Sequence, residues 1–366
     1  MNRFFNKEIK FENCLTVLYN IISIIYFICI LNSKKLLGIR IFHNNILSLV
    51  MLIICIILII SKIIFIFWRQ NKKLEKYIYY ISVLILLIII IDCIFLGIIR
   101  NFIEASNLEK RPTTLDPLGI RISYIIINNY KNILSGIWTT IWLSFSGTVV
   151  GLMIAIIFIS LKTLEIEIKD NELISFFKKI AQGFVDTYVT IFRGTPMMVQ
   201  AIIIYYFLPG ILASIFNVDQ QVLNNILSVG VAGFITVTLN TTAYLTEVLR
   251  GGIESIDKGQ MEAARSLGMT RTKAMINVIL PQGIKHSLPS ICNEFIINIK
   301  DTSVLSVISV MDLFFIINSI NKKNASQDGI FIAAIIYLCL TFGISKLLRI
   351  IEKKMNLVST PLPSCN

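Results

Sequence analysis

Charge is scarce in this 366-residue chain: Asp, Glu, Lys and Arg together supply 15% of it. A soluble domain carries about a quarter charged residues. Here 55% of the residues are hydrophobic and the mean hydropathy is +0.76, too apolar for a string of soluble domains, a disordered chain, a collagen-like fibre or a small disulfide scaffold. Histidine is down to two residues, and the seven cysteines include no C-x-x-C pair. With no His/Cys ligand cluster, metal and redox chemistry have no donor set. Cys29, Cys55, Cys93 and Cys339 lie inside apolar runs, where Cys behaves as a small hydrophobe. No G-x-x-x-x-G-K-[ST] phosphate loop occurs, so ATP has no such cradle on this chain. Neither G-x-S-x-G nor H-E-x-x-H occurs, which removes two common hydrolase sites.

What is present is apolar sequence in blocks. Eight stretches are long enough for a hydrocarbon core of about 30 Å, at 11–31, 46–68, 77–99, 134–160, 196–216, 226–249, 286–308 and 328–349. Backbone in lipid must satisfy its own hydrogen bonds, so these Ile-rich stretches are expected to be helices. The fold class is therefore an all-α membrane protein of about eight transmembrane helices. The first run, from Phe11, lacks a small-residue cleavage site and is expected to be a retained helix.

The net charge of +12 follows the loops rather than a stacking platform for nucleic acid. With the N-terminus placed in the cytoplasm, 22 Lys and Arg fall on the inner side and 10 on the outer. That bias puts both termini inside. Composition also divides the chain. Residues 1–100 form a three-helix extension of nearly featureless Ile/Leu runs, with Lys62 and Asp92 expected to pair or snorkel. Residues 101–131, with Pro112 and Pro117, are expected to be an extracytoplasmic linker. Residues 132–352 form a five-helix core, and 353–366 a cytoplasmic tail. No internal repeat is evident, which counts against transporters built from two repeated halves. The charged and apolar residues that alternate from Glu165 to Lys179 suggest a surface helix on the inner leaflet.

The longest inner loop, about 250–285, carries the clearest local signals. Asp257 can N-cap a short helix over about 258–267. Gly268 can end it as a left-handed C′ residue. Thr270 can cap a second helix, which Pro281 is expected to end. Two short helices with a Gly corner make a rigid protrusion with Glu262, Ala263, Ala264 and Leu267 near its tip. Small residues there admit close approach of another protein; the alternative is an ordinary solvated loop.

Glu262-Ala263-Ala264, three residues, Gly268, nine residues, then Val278-x-Leu280-Pro281 resembles the EAA loop of ABC-transporter permease subunits. Val278 replaces the commoner Ile. Tyr188 through Arg193-Gly194-Thr195-Pro196 to Gln200, Asn240-Thr-Thr-Ala-Tyr244-Leu-Thr-Glu247, Arg250-Gly-Gly, Asn293-Glu294-Phe295-Ile296 and Lys300-Asp301-Thr302-Ser303 resemble the polar amino-acid branch. Thr242, Gly283 and Asn298 stand where that branch more often has a small residue, Ala and an apolar residue. The resemblance, over about 130–350, implies a permease subunit in the cell membrane. It also implies separate cytoplasmic ATPase subunits that bind ATP and Mg, a second permease chain, identical or not, and an extracytoplasmic amino-acid-binding protein. No cofactor is expected in this chain, and no catalytic residue. In that family the EAA loop docks on the ATPase, which assigns coupling to Glu262, Ala263, Ala264, Leu267 and Gly268.

Locally, Thr195 is the expected N-cap with Pro196 at N1. Arg193 suits lipid phosphate or a helix carbonyl. A charged side chain at mid-bilayer costs about 2.5–3.5 kcal/mol on insertion scales, so it faces a cavity or a partner. Glu294, Asn298 and Asp301 share one helical face by spacing, with Lys300 about 100° round; Asn240, Tyr244 and Glu247 share another. A crossing amino acid needs acceptors for its ammonium and donors for its carboxylate, and these seven residues are the expected substrate-pathway set. The alternative is that Glu294 or Asp301 pairs with Lys300 or with a helix end. Two other functions fit the same composition. An ion-coupled secondary transporter would work without the EAA loop, and a receptor or scaffold would bind an ATPase without flux.

Overall fold

Proline and glycine punctuate the helices. The computed structural model describes residues 97–113, 115–164 and 171–354. The expected spans 11–31 and 46–68, nearly all of 77–99, Cys29, Cys55, Cys93, Lys62 and Asp92, the start of the 165–179 surface helix and the tail beyond 354 lie outside them. The chain divides into two compact units, Met1–Tyr130 and Lys131–Asn366.

In the first unit, α1 (Gly97–Ser106) is followed by a non-helical stretch that Asp116 closes by accepting from the Thr113 backbone N–H at 2.6 Å. Pro117 then precedes α2 (Leu118–Lys162), so the prolines interrupt helix only over 107–117, and 118–131 is helical. At 45 residues α2 is about 67 Å long, at 1.5 Å per residue, well beyond a bilayer core.

The second unit continues through α3 (Glu172–Gly194), α4 (Met197–Ile202), a π segment (Ile203–Phe207), α5 (Leu208–Phe216), α6 (Gln220–Ile226) and α7 (Val229–Glu254). Then come α8 (Lys258–Ser266), α9 (Arg271–Ala274), a second π segment (Met275–Ile279), α10 (Leu280–Asp301), a 3₁₀ segment (Thr302–Ile308), α11 (Leu313–Asn324) and α12 (Gly329–Lys354). Among the described residues, four helical stretches are long and apolar enough to cross a membrane: 118–162, 197–216, 229–254 and 329–350. A fifth is the run 271–308 with α11, bent by 51° at its break.

Pro281 does not end the helix that Thr270 starts, contrary to the sequence expectation. The helix runs on from Arg271 to Ile308 because the π segment sits immediately before Leu280-Pro281. Proline removes an N–H and its ring crowds the carbonyl four residues back. A π turn changes that register, with Leu280 N–H donating to Met275, five residues back. The same device precedes Pro209, where Leu208 N–H reaches Ile203.

Glycines set the closest crossings. A Cβ on Gly252 of α7 would collide with Ser287 Oγ and lie 2.6 Å from the Gly283 carbonyl of α10. Ser287 fastens the same point, donating to the Val248 and Gly283 carbonyls at 3.2 and 2.9 Å. On the α2 side, Gly147 lies against Val237 and Gly151 against the Thr238 carbonyl. Small residues at these points bring backbones together, the usual means of packing helices in lipid. Ala155 and Ile159 of α2, Leu245 and Leu249 of α7, and Leu280 and Ile291 of α10 then pack as one apolar cluster.

Candidate functional site

The legs of the protruding loop are stapled where Gly252 meets Gly283, and between them the chain folds as a capped hairpin. Asp257 accepts from Gly259 N–H at 2.6 Å and starts α8. Gly268, at φ +85°, ends it in the left-handed region that a side chain disfavours. Thr270 accepts from Lys273 N–H at 3.3 Å and starts α9. All three signals act where the sequence placed them. Glu262 and Ala263 are exposed, and Leu267 is 82% exposed. Ala264 is buried, so it supports the hairpin from within.

The two polar faces divide between helix joints and open positions. Asn240 is buried; its Nδ2 donates to Gln200 Oε1 at 3.1 Å. Gln200 in turn donates to the Phe192 and Thr195 carbonyls at 2.9 and 3.0 Å, closing the end of α3. Asn298 is buried too, donating to the Thr148 and Thr241 hydroxyls at 2.9 Å each. It thereby ties α10 to α2 and α7.

Glu294 is buried without a hydrogen bond or ion pair to any described residue. It lies between Ile291, packed with Leu245 and Leu249, and Asn298, bonded to Thr241. That register places it at the height of Tyr244. Lys300 and Asp301 are exposed, further from the hairpin along α10.

Glu247 is the charged centre nearer the hairpin. Its carboxylate accepts from Arg250 at 2.9 and 3.0 Å and pairs with Lys162 at 3.5 Å and Arg193 at 3.6 Å. Lys162 also pairs with Asp186 at 2.7 Å, and Arg250 with Glu254 at 2.6 Å. Arg193 lies over the Tyr244 ring, 5.6 Å from its centroid, a cation–π contact. Thr195 does not cap α4 as expected. Its hydroxyl donates back to the Ile191 carbonyl at 2.8 Å, and Pro196 occupies the N-cap position. The residue before a proline is held in extended backbone, and Thr195 sits at φ −118°, ψ 142° as the C-cap of α3.

Sequence spacing missed Gln200, Lys162 and Asp186. Their cross-helix partners are 24 to 85 residues away, and the one signal was a polar residue in an apolar stretch. Among the described residues no three His, Cys, Asp or Glu side chains gather as a metal site.

Comparison with known proteins agrees with this architecture. Residues 173–357 match the model of the family described as binding-protein-dependent transport system inner membrane component. A putative glutamine transport system permease protein of Rickettsia bellii is 38% identical over 173 residues, 47% of this chain and 74% of that protein. The nopaline transport system permease protein of Agrobacterium fabrum is 30% identical over 236 residues, 63% of this chain and 91% of that protein. The crystal structure of an amino acid ABC transporter with histidines matches at a TM-score of 0.52 and 31% identity, over 63% of this chain and 96% of that one. The chain belongs to the binding-protein-dependent transport system inner membrane components, as a multi-pass permease subunit of an ABC transporter, with ATP hydrolysis left to a separate subunit.

Proposed function

We propose that this permease subunit imports a polar amino acid across the cell membrane, driven by ATPase subunits that bind ATP and Mg on the cytoplasmic side. The relatives named for glutamine and nopaline transport and the amino-acid transporter structure support that substrate class. An extracytoplasmic binding protein delivers the solute, and a second permease chain completes the passage. Residues 132–352 are the working core, 1–100 an added extension, and 101–131 the outer segment between them, helical again from Leu118. Both termini lie inside in this reading, which the Lys/Arg distribution supports.

The observation that carries this reading is the hairpin: two capped helices, a left-handed Gly corner and an exposed tip, with legs joined at Gly252 and Gly283. A push on Glu262, Ala263 or Leu267 is borne by a closed loop and passes to α7 and α10 together. Ala264 and Gly268 keep that loop rigid. The pathway side of the reading rests on Tyr244, Glu247, Glu294, Lys300 and Asp301. Asn240 and Asn298 belong to it as the joints that hold those faces in register.

The test is ATP-dependent amino-acid uptake into vesicles reconstituted with the chain, its ATPase and its binding protein. Glu262→Ala and Gly268→Val should each cut uptake at least about tenfold while the complex still assembles; undiminished uptake in both variants would refute the hairpin's role. Uptake that persists without ATP but collapses with the ion gradient would favour a secondary transporter.

A further inference from the structure

The charges around Glu247 are unevenly partnered. Lys162 and Arg250 each have a second carboxylate, Asp186 at 2.7 Å and Glu254 at 2.6 Å. Among the described residues, Arg193 has as its acid only a 3.6 Å share of Glu247, through the Oε2 atom that already accepts two bonds from Arg250. Its side chain is 44% exposed. It leans on Tyr244, the one exposed residue in an otherwise buried run from Asn240 to Thr246. A cation–π contact of this kind is not a hydrogen bond and leaves the guanidinium N–H donors for a planar acid. The backbone that carries Arg193 is held by buried Gln200, which donates to the carbonyls at the end of α3, and Gln200 is held in turn by buried Asn240. Arg193 is therefore a positioned cation short of an acid.

We propose that Arg193, braced by Tyr244, is a docking point for the carboxylate of the transported amino acid at the hairpin end of the passage. This rests on the import reading above and adds to it a second contact point. Glu294, at the height of Tyr244 and without a hydrogen bond or ion pair among the described residues, suits the ammonium end of the same solute. A lipid phosphate would satisfy the same donors, so the experiment must separate the two sources.

The complex of this chain with its permease and ATPase partners is purified without binding protein. It is then titrated calorimetrically with L-glutamine, L-arginine and L-histidine, and with their carboxamides, in nanodiscs of phosphatidylcholine alone or with phosphatidylglycerol. The wild type should bind at least one acid roughly tenfold more tightly than its amide, the worth of one charge-assisted hydrogen bond. Arg193→Gln should erase that gap by weakening the acid alone, and Arg193→Lys should keep part of it. Equal binding of acid and amide by the wild type, or no binding of either, overturns the proposal. So does a gap that survives Arg193→Gln. A variant whose gap is intact but whose response to phosphatidylglycerol is lost assigns Arg193 to lipid instead. ATP-driven uptake that continues under any of these results leaves the import reading standing, whereas its absence in the wild type removes both.

Discussion

Two polar junctions of the helical core were built on different terms. Around Asn298 everything is neutral, buried and paired: one amide, two threonine hydroxyls, three helices. Around Glu247 everything is charged and half open, with Lys162, Arg193 and Arg250 sharing one carboxylate. A buried polar group costs stability unless it is bonded, so a satisfied neutral cluster fixes helix positions. A partly exposed ionic cluster contributes little stability, because solvent screens it and long side chains must be ordered. The first junction is suited to holding helices and the second to exchanging partners. Glu294 belongs with the second although it lies one turn from Asn298, because it is buried without a bond.

Asn298→Leu should have the largest effect and should act on stability. It removes both cross-helix bonds and leaves the Thr148 and Thr241 hydroxyls without them, at a cost of about 2 kcal/mol or more. The purified complex should melt several degrees lower, and uptake should fall in step with the folded fraction. Wild-type melting with selectively lost uptake would move Asn298 into the solute passage and break the division between the two junctions.

Glu294→Gln should act the other way round. The carboxyl has no hydrogen bond to lose among the described residues, so the melting temperature should hold or rise. Uptake should drop at least about tenfold, the share expected for one contact to a charged group. A variant that melts early while its surviving fraction transports normally would make Glu294 a structural residue.

How much of this was legible in the sequence depended on the distance between partners. Asp257, Gly268 and Thr270 act on backbone within three residues, so spacing and residue type were enough. Spacing also placed Asn240, Tyr244 and Glu247 on one face, and Glu294, Asn298 and Asp301 on another, yet it gave no indication of what stood opposite. Asn240 meets Gln200, 40 residues away, and Asn298 meets Thr148, 150 residues away. Those bonds decide which positions are joints. Pro281 misled for a different reason. A proline ends a regular α-helix, and nothing in Met275–Ile279 marks the π turn that accommodates it.

The smallest predicted effect sharpens the account of how the hairpin legs are joined. Gly252 and Gly283 face one another, but their tolerances differ. A methyl on Gly252 meets a carbonyl at 2.6 Å as well as Ser287, and a backbone cannot rotate away. A methyl on Gly283 meets Ile253 Cγ1 at 2.7 Å, a side-chain atom that moves only by rotation about a stiff β-branched χ1, and Ile253 N and Cα at 3.2 Å. A χ1 change at Ile253 and a shift of a few tenths of an ångström would admit it, so Gly283→Ala should cost about 1 kcal/mol, the low end for overpacking. That matches the resemblance of this segment to permeases that commonly carry Ala here. Melting of the complex should fall by no more than a few degrees, with ATP-coupled uptake retained. Gly252→Ala should cost more in the same assay, and a reversed order would place the tight point of the crossing on α10 rather than α7.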